Sequence, residues 1–433
     1  MSKNRAPGPD WLELSRRHVW HPYTQMRTAP PPIPVARASG VYLETPDGRR
    51  ILDGISSWWV NVHGHAHPRL NRALAEQAER VEQVIFAGFT HEPASRLAAE
   101  LVARTPGSLP RVFFSDDGST AVEVAMKMAY QAWLHRGEER RLFVALDDAY
   151  HGDTFGAMAA GGVAAFHRAF SPLFFDVRRA ATPASARRED HSPDLEHILE
   201  REGGQVAAVI VEPVLQGAAG MLVQPPSFLE RVRELTRRHG IPLIADEIFT
   251  GFGRTGPMFA CEHAGVEPDV LCLSKALTGG YLPLSVTLAS EEIYGAFLSE
   301  DRSKTFFHGH SYTGNALACA VGLESLRLFD EEDRLGRVAE LESLFTERMA
   351  RIAEMPRVTS PRVLGPMAAI DIDPEGGGGY LDDLGPRLYN AFLERDILLR
   401  PLGNVLYFLP PYVITDGEAH RVFDAIEEVI SGL

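Results

Sequence analysis

FLERVRELTRRHGIPLIADEIFTGFGRTG, residues 228–256, changes period in the middle. Phe228–Gly240 has the pattern of an amphipathic helix, and IPLIADEI after it is a short apolar strand that stops at Asp246. Similar strands stand to either side: RVFFS from Arg111, RLFVALDD from Arg141, VAAVIVEP from Val206 and DVLCLS from Asp269. Helical patterns separate them from about Pro68 to Ala320. Continuous apolar strands alternating with amphipathic helices predict an α/β fold with a mostly parallel sheet covered on both faces.

Such sheets bind ligands at their strand ends, and four stretches fall there. In the opening stretch Asp246 closes an apolar run, so its carboxylate is desolvated unless a cation pairs with it. A structural arginine or a helix N-terminus would serve equally well. Glu247 should face the other way. LCLSKALTGG, residues 271–280, places one lysine, Lys275, where a buried strand ends; taken alone it could simply emerge into solvent. FFSDDGSTAVEVAMKMAYQAW runs through Gly118 and Ser119 into a helix with the apolar stripe Val122, Met126, Ala129 and Trp133. Thr120 with Glu123 reads as its capping box. The helix start offers free N–H groups to a phosphate, or is only a helix start. LDDAYHGDTFG puts Tyr150 and His151 after a strand, where an aromatic can stack on a flat ring or be an ordinary surface side chain. Together a phosphate cradle, a stacking aromatic, a buried carboxylate and a lone amine describe the ligand set of pyridoxal phosphate.

The order GST, YHG, DEIFTGFGRTG, LSKALTGG, HGHSYTGN resembles the class-III aminotransferases over nearly the whole chain. The resemblance implies the type I pyridoxal-phosphate fold: a large domain around a mostly parallel seven-stranded sheet, and a smaller α+β domain built from both termini. It makes Lys275 the Schiff-base lysine, Asp246 the partner of the pyridine nitrogen, Gly118 and Ser119 phosphate ligands, and Tyr150 a contact of both ring and substrate. It also implies a homodimer in which the partner's HGHSYTGN loop completes the site, with His310 and Ser311 at the cofactor and Gly309 at the substrate.

RRHVWHPYTQM, GISSWWVNVHGHAHPRL and LLRPLGNVLYFLPPY resemble one branch of that family. Its acceptor, 8-amino-7-oxononanoate, is a long aliphatic chain with a carboxylate at one end and an amino ketone at the other. The product is 7,8-diaminononanoate, a precursor of biotin. The resemblance implies an apolar wall from Trp58 and Trp59, Arg400 as a fork for the carboxylate, and Tyr23 as a catalytic hydroxyl near the amine end. S-adenosylmethionine is the donor implied, with lysine as the alternative and an ω-amino-acid:pyruvate aminotransferase as the nearest other activity. The chain departs from the branch in reading HGHSYTGN and in placing Phe249 after DEI. Arg254 in GFGRTG is a possible further site residue.

The domain limits expected are 1–62 and 326–433 for the smaller domain and 63–325 for the larger. VYLETPDGRRILD is the hairpin of the first segment, with Pro46-Asp47-Gly48 as its turn, and the four glycines Gly376–Gly379 read as a loop. A formal net charge of −15 argues against a nucleic-acid partner. The polar opening MSKNRAPGPDW has no apolar core of a secretory signal, and no run approaches a membrane span, so a cytoplasmic enzyme is expected. Cys261, Cys272 and Cys319 lack CxxC spacing and read as reduced core residues. The triplet His63, His65, His67 sits in GHAHP, a turn pattern, and no metal site is expected there.

Overall fold

The computed structural model describes residues 10–187, 192–373 and 383–433; the run Gly376–Gly379 lies outside them. Its centre is a seven-stranded sheet in the spatial order Arg111–Ser115, Ser285–Ala289, Val270–Leu273, Leu243–Asp246, Val206–Val211, Leu142–Leu146, Val177–Ala180. Only Ser285–Ala289 runs against the rest. The central strands are buried throughout, because helices cover both faces. In the register of the parallel pair Asp246 lies beside Cys272. Lys275 therefore leaves the sheet at the same carboxyl edge as Asp246, and Glu212 leaves it after the next strand over.

The helix Gly118–His135 buries Val122, Met126, Ala129 and Trp133 against this sheet, as their spacing requires. Its start differs from the expected capping box. Asp117 is the cap, accepting from Thr120 N at 2.9 Å, so the helix begins ahead of Thr120. Glu123 instead accepts from Thr154 Oγ1 and Gly156 N. A tertiary partner has displaced the local one.

The hairpin strands Tyr42–Glu44 and Arg50–Asp53 pair antiparallel around the Pro46-Asp47-Gly48 turn. Arg50–Asp53 then pairs in parallel with Ile397–Leu398 from the far end of the chain. Val41, Leu52, Ile55 and Trp59 consequently share an apolar cluster with Phe345, Phe408 and Phe423. After this strand the backbone does something unusual: Ser56, Ser57, Trp58 and Trp59 have φ of 51°, 46°, 72° and 73°. For L-residues a left-handed turn costs roughly 1–2 kcal/mol per residue, and none of the four is glycine. Among the described residues no helix is long and apolar enough to cross a membrane.

Candidate active site

The carboxyl edge of the sheet opens into a cavity of about 420 Å³, within the usual range for a small-molecule site. Asp246, Lys275, Gly118, Ser119 and Tyr150 all line it, so five residues spread over the sequence are brought together. Asp246 is almost fully buried and accepts from His151 Nδ1 at 2.7 Å and from Ile248 N at 3.1 Å. With a carboxylate as acceptor, His151 carries its proton on Nδ1. Its Nε2 is buried without a partner among the described residues. Glu247 turns away, as alternation predicts, and accepts from Ala260 N, Cys261 N and Thr250 Oγ1.

Lys275 follows its strand at φ 45°, a strained value of the kind that clusters at functional sites. Its ammonium lies 5.4 Å from the centre of the Trp59 ring and 5.8 Å from that of Phe249. No carboxylate pairs with it directly among the described residues. Desolvation in the half-buried cavity wall lowers the pKa of the amine, while the charges of Asp246 and Glu212 pull the other way.

At the far side of the cavity the Gly118–His135 helix presents its first turn. Gly118 touches Ile248 so closely that a Cβ there would lie 2.7 Å from its Cγ2. Gly152, at φ 122°, leaves no room for a Cβ beside Ser119. Both glycines let the chain pack closely around the helix terminus, whose free N–H groups suit a phosphate. The donor set fits pyridoxal phosphate on this geometry: a buried carboxylate for a ring nitrogen, an unpaired amine, and a glycine-lined helix start for an anion.

Beyond the cavity contacts run outward in a chain. The Tyr23 hydroxyl donates to Asp153 Oδ2 at 2.7 Å and lies 3.3 Å from the Tyr150 hydroxyl. Trp58 meets Tyr23 edge-on at 5.4 Å, and the Arg400 guanidinium stands 4.9 Å over the Trp58 ring. Trp59 faces inward instead, lining the cavity and packing on Phe249 at 4.6 Å. Gly309, His310 and Ser311 do not line this cavity. They lie on a loop clamped to residues 82–91, with Gln83 Nε2 donating to Ser311 O and His91 to Gly314 O. Arg254 is fully buried outside the cavity, donating to Ser56 Oγ and to the carbonyls of Asn61 and Pro410. The three histidines diverge: His63 to Ser325, His65 to Asp53, His67 to Glu332.

A class-III aminotransferase family model matches residues 23–430. The chain belongs to the class-III aminotransferases. It is 48% identical to the adenosylmethionine-8-amino-7-oxononanoate aminotransferase of Synechococcus elongatus, over 96% of this chain and 99% of that one. The solved structure of the enzyme so named from Methanocaldococcus jannaschii superposes with a TM-score of 0.92 at 36% identity, covering 98% of each chain. An omega transaminase from Pseudomonas jessenii superposes with a TM-score of 0.90 at 25% identity, again over 98% of each chain. As an aminotransferase of this class the protein depends on pyridoxal phosphate.

Two residues lining the cavity are given no role of their own by the sequence reading. His151 stands beside Tyr150 in the same motif, and only its bond to Asp246 marks it out. Glu212 follows an apolar strand in VIVEP, as Asp246 follows its own. It accepts from Tyr150 N and Gly217 N, yet burial and the nearby charge of Asp246 push its pKa up to about 8. The folded ligand-free chain therefore keeps a proton that the unfolded chain loses above its ordinary value of 4.5. Stability from this group is complete below 4.5 and is lost as pH rises to about 8. Glu247, raised by burial to about 7, adds a slope of the same sign. The Glu212→Gln variant should thus show a flatter fall of thermal midpoint between pH 5 and 8 than the parent, measured by calorimetry on cofactor-free protein. Equal slopes would mean that Glu212 is ionised in the folded state.

Proposed function

We propose that this aminotransferase converts 8-amino-7-oxononanoate to 7,8-diaminononanoate, with S-adenosylmethionine as amino donor, in the cytoplasmic synthesis of biotin. The observation that carries this reading is the run from Tyr150 through Tyr23 and Trp58 to Arg400, an aromatic wall with a cation at its end. It suits a long aliphatic acceptor whose ketone lies at the cofactor and whose carboxylate lies at the guanidinium. Relatives bearing the name of this activity align over nearly the full length of the chain.

In this reading pyridoxal phosphate supplies the carbonyl that carries the amino group and a ring that accepts electrons. Gly118 and Ser119 would hold its phosphate, Asp246 would keep a proton on its ring nitrogen, and Tyr150 would lie against its ring. Lys275 would hold the cofactor covalently, and its Nζ is the atom that would take up and return protons as general base and acid. Tyr23 orients the amine end of the substrate through its hydroxyl.

The reading includes a homodimer. The loops around residues 82–91 and 305–315 expose Ile85, Phe89, Phe307 and Tyr312 side by side with Gly309–Ser311, an apolar surface of the kind that a partner covers. Gly309, His310 and Ser311 would then serve the site of the second copy.

Treating the holoenzyme separately with S-adenosylmethionine and with lysine, then adding the amino ketone, tests the reaction. The diamine should appear, by mass spectrometry, after the first donor. Its appearance after lysine alone would correct the donor, and amination of pyruvate but not of the amino ketone would overturn the acceptor.

Arg400 gives a more local prediction. Hydrogen bonds to charged groups contribute roughly 1.5–3 kcal/mol, so Arg400→Ala should raise KM for the amino ketone about ten- to a hundredfold. The donor half-reaction should be unchanged, and Arg400→Lys should recover only part, since an ammonium lacks the planar fork. An unaltered KM would remove Arg400 from the acceptor site.

A further inference from the structure

Four successive L-residues in a left-handed turn need an external restraint, since left-handed backbone is normally visited one residue at a time. The restraint is visible around Ser56–Trp59. Asp53 is completely buried at the end of its strand. Its Oδ1 accepts from Ser57 N at 2.9 Å and Ile55 N at 3.3 Å, and its Oδ2 accepts from Ser57 Oγ at 2.7 Å and His65 Nε2 at 2.9 Å. His65 is itself aimed by Asn61, whose amide lies 3.2 Å from Nδ1. From the other side Arg254 donates to Ser56 Oγ at 3.2 Å and to Asn61 O at 3.0 Å, while Ser56 Oγ donates to Leu409 O at 2.8 Å. Thus Ser57 is gripped through both backbone and hydroxyl, and Ser56 through its hydroxyl.

The turn sends adjacent side chains to different places. Trp59 faces the cavity and is held independently, by Nε1 donating to the Tyr407 hydroxyl at 3.1 Å and by the Phe249 ring. Among the described residues Trp58 has no such anchor in the core. It reaches outward to Tyr23 and Arg400, and its direction depends on the backbone of Ser57, which Asp53 fixes.

We propose that Asp53, with Arg254 behind it, is a positioning residue for the amino acceptor, holding the Ser56–Trp59 turn left-handed so that Trp58 stands between Tyr23 and Arg400. This rests on the reading that Trp58 and Arg400 receive the acceptor. Asp53 does not line the cavity and acts through Ser57.

The test compares holoenzyme variants Asp53→Ala, Asp53→Asn and the double variant Asp53→Ala with Ser57→Gly. Removing the carboxylate should raise acceptor KM roughly ten- to a hundredfold, the scale of a small misplacement at an active site. The donor half-reaction should stay within about twofold of the parent, because Trp59 keeps its own anchors. Near-ultraviolet circular dichroism should lose part of its tryptophan signal. Glycine adopts left-handed backbone unaided, so the double variant should recover most of both. Asp53→Asn, which keeps one acceptor and retains the volume, should fall between and carries the comparison if Asp53→Ala does not fold. Equal losses in both half-reactions, or no recovery with glycine, would overturn the proposal and leave Asp53 as a general stabiliser. The dichroism needs no substrate, so it judges the turn even if the amino ketone proves to be the wrong acceptor.

Discussion

Lys275→Arg is expected to lower turnover by about 10²–10⁴-fold, the range lost when a positioned acid-base group is removed. The argument is one of protonation. Lys275 sits where burial lowers the amine's pKa, against the pull of Asp246 and Glu212. A group in that state can give up and take back a proton at Nζ during turnover. Guanidinium cannot, because it stays protonated in proteins. Its planar fork is also larger than the ammonium that now fits between Trp59 and Phe249. Rapid mixing of the holoenzyme with the donor, followed by absorbance, measures the first half-reaction alone. The variant should bind the cofactor yet bleach slowly with the donor. Near-parental bleaching would mean that another group moves the proton.

The sheet and its ligand edge were legible because they follow from alternation: buried strands must be apolar, and what ends them must be polar. Asp246 and Lys275 could be read from this rule, and the register brings them out at the same edge of adjacent strands. Glu212 obeys the same rule after its own strand, but nothing in VIVEP distinguishes a site carboxylate from one at an ordinary strand exit. Only its place beside Asp246 and Tyr150 does so. The cap of the Gly118–His135 helix was misread for a related reason. Local spacing favoured Thr120 with Glu123, whereas Glu123 found Thr154 and Gly156 from another element.

The left-handed turn at Ser56–Trp59 was least legible of all. Positive φ is normally announced by glycine, asparagine or aspartate, and SSWW contains none of these. Its conformation is imposed by Asp53, Arg254 and Leu409, the last two distant in sequence, so local propensity carries no trace of it. Arg254 illustrates the same point from the other end. The family motif makes it a possible site residue; here the guanidinium donates to two backbone carbonyls and to Ser56, while Nε is buried without a partner among the described residues. The loop Gly309–Ser311 is a different case: the family motif places it at the site, whereas the chain holds those residues away from its own cavity.

Asp246→Asn should reduce the donor half-reaction by about 10²–10³-fold, comparable to losing one preorganised electrostatic group at a reacting centre. The substitution keeps the shape and the oxygen that accepts from Ile248 N, so cofactor should still bind. What is lost is the charge. A neutral amide does not keep a proton on a basic ring nitrogen, and it also leaves His151 Nδ1 without its anionic acceptor. The same change has a second consequence that can be read without any substrate. Asp246 is one reason that Glu212 is held neutral, so removing its charge should lower the Glu212 pKa. In cofactor-free protein the loss of stability with rising pH should then be complete at a lower pH than in the parent. Both outcomes derive from one charge and can be measured separately. A slow half-reaction with an unmoved stability profile would place Asp246 at the ring nitrogen but exclude its coupling to Glu212. An unchanged half-reaction rate would show that the carboxylate does not hold that proton at all.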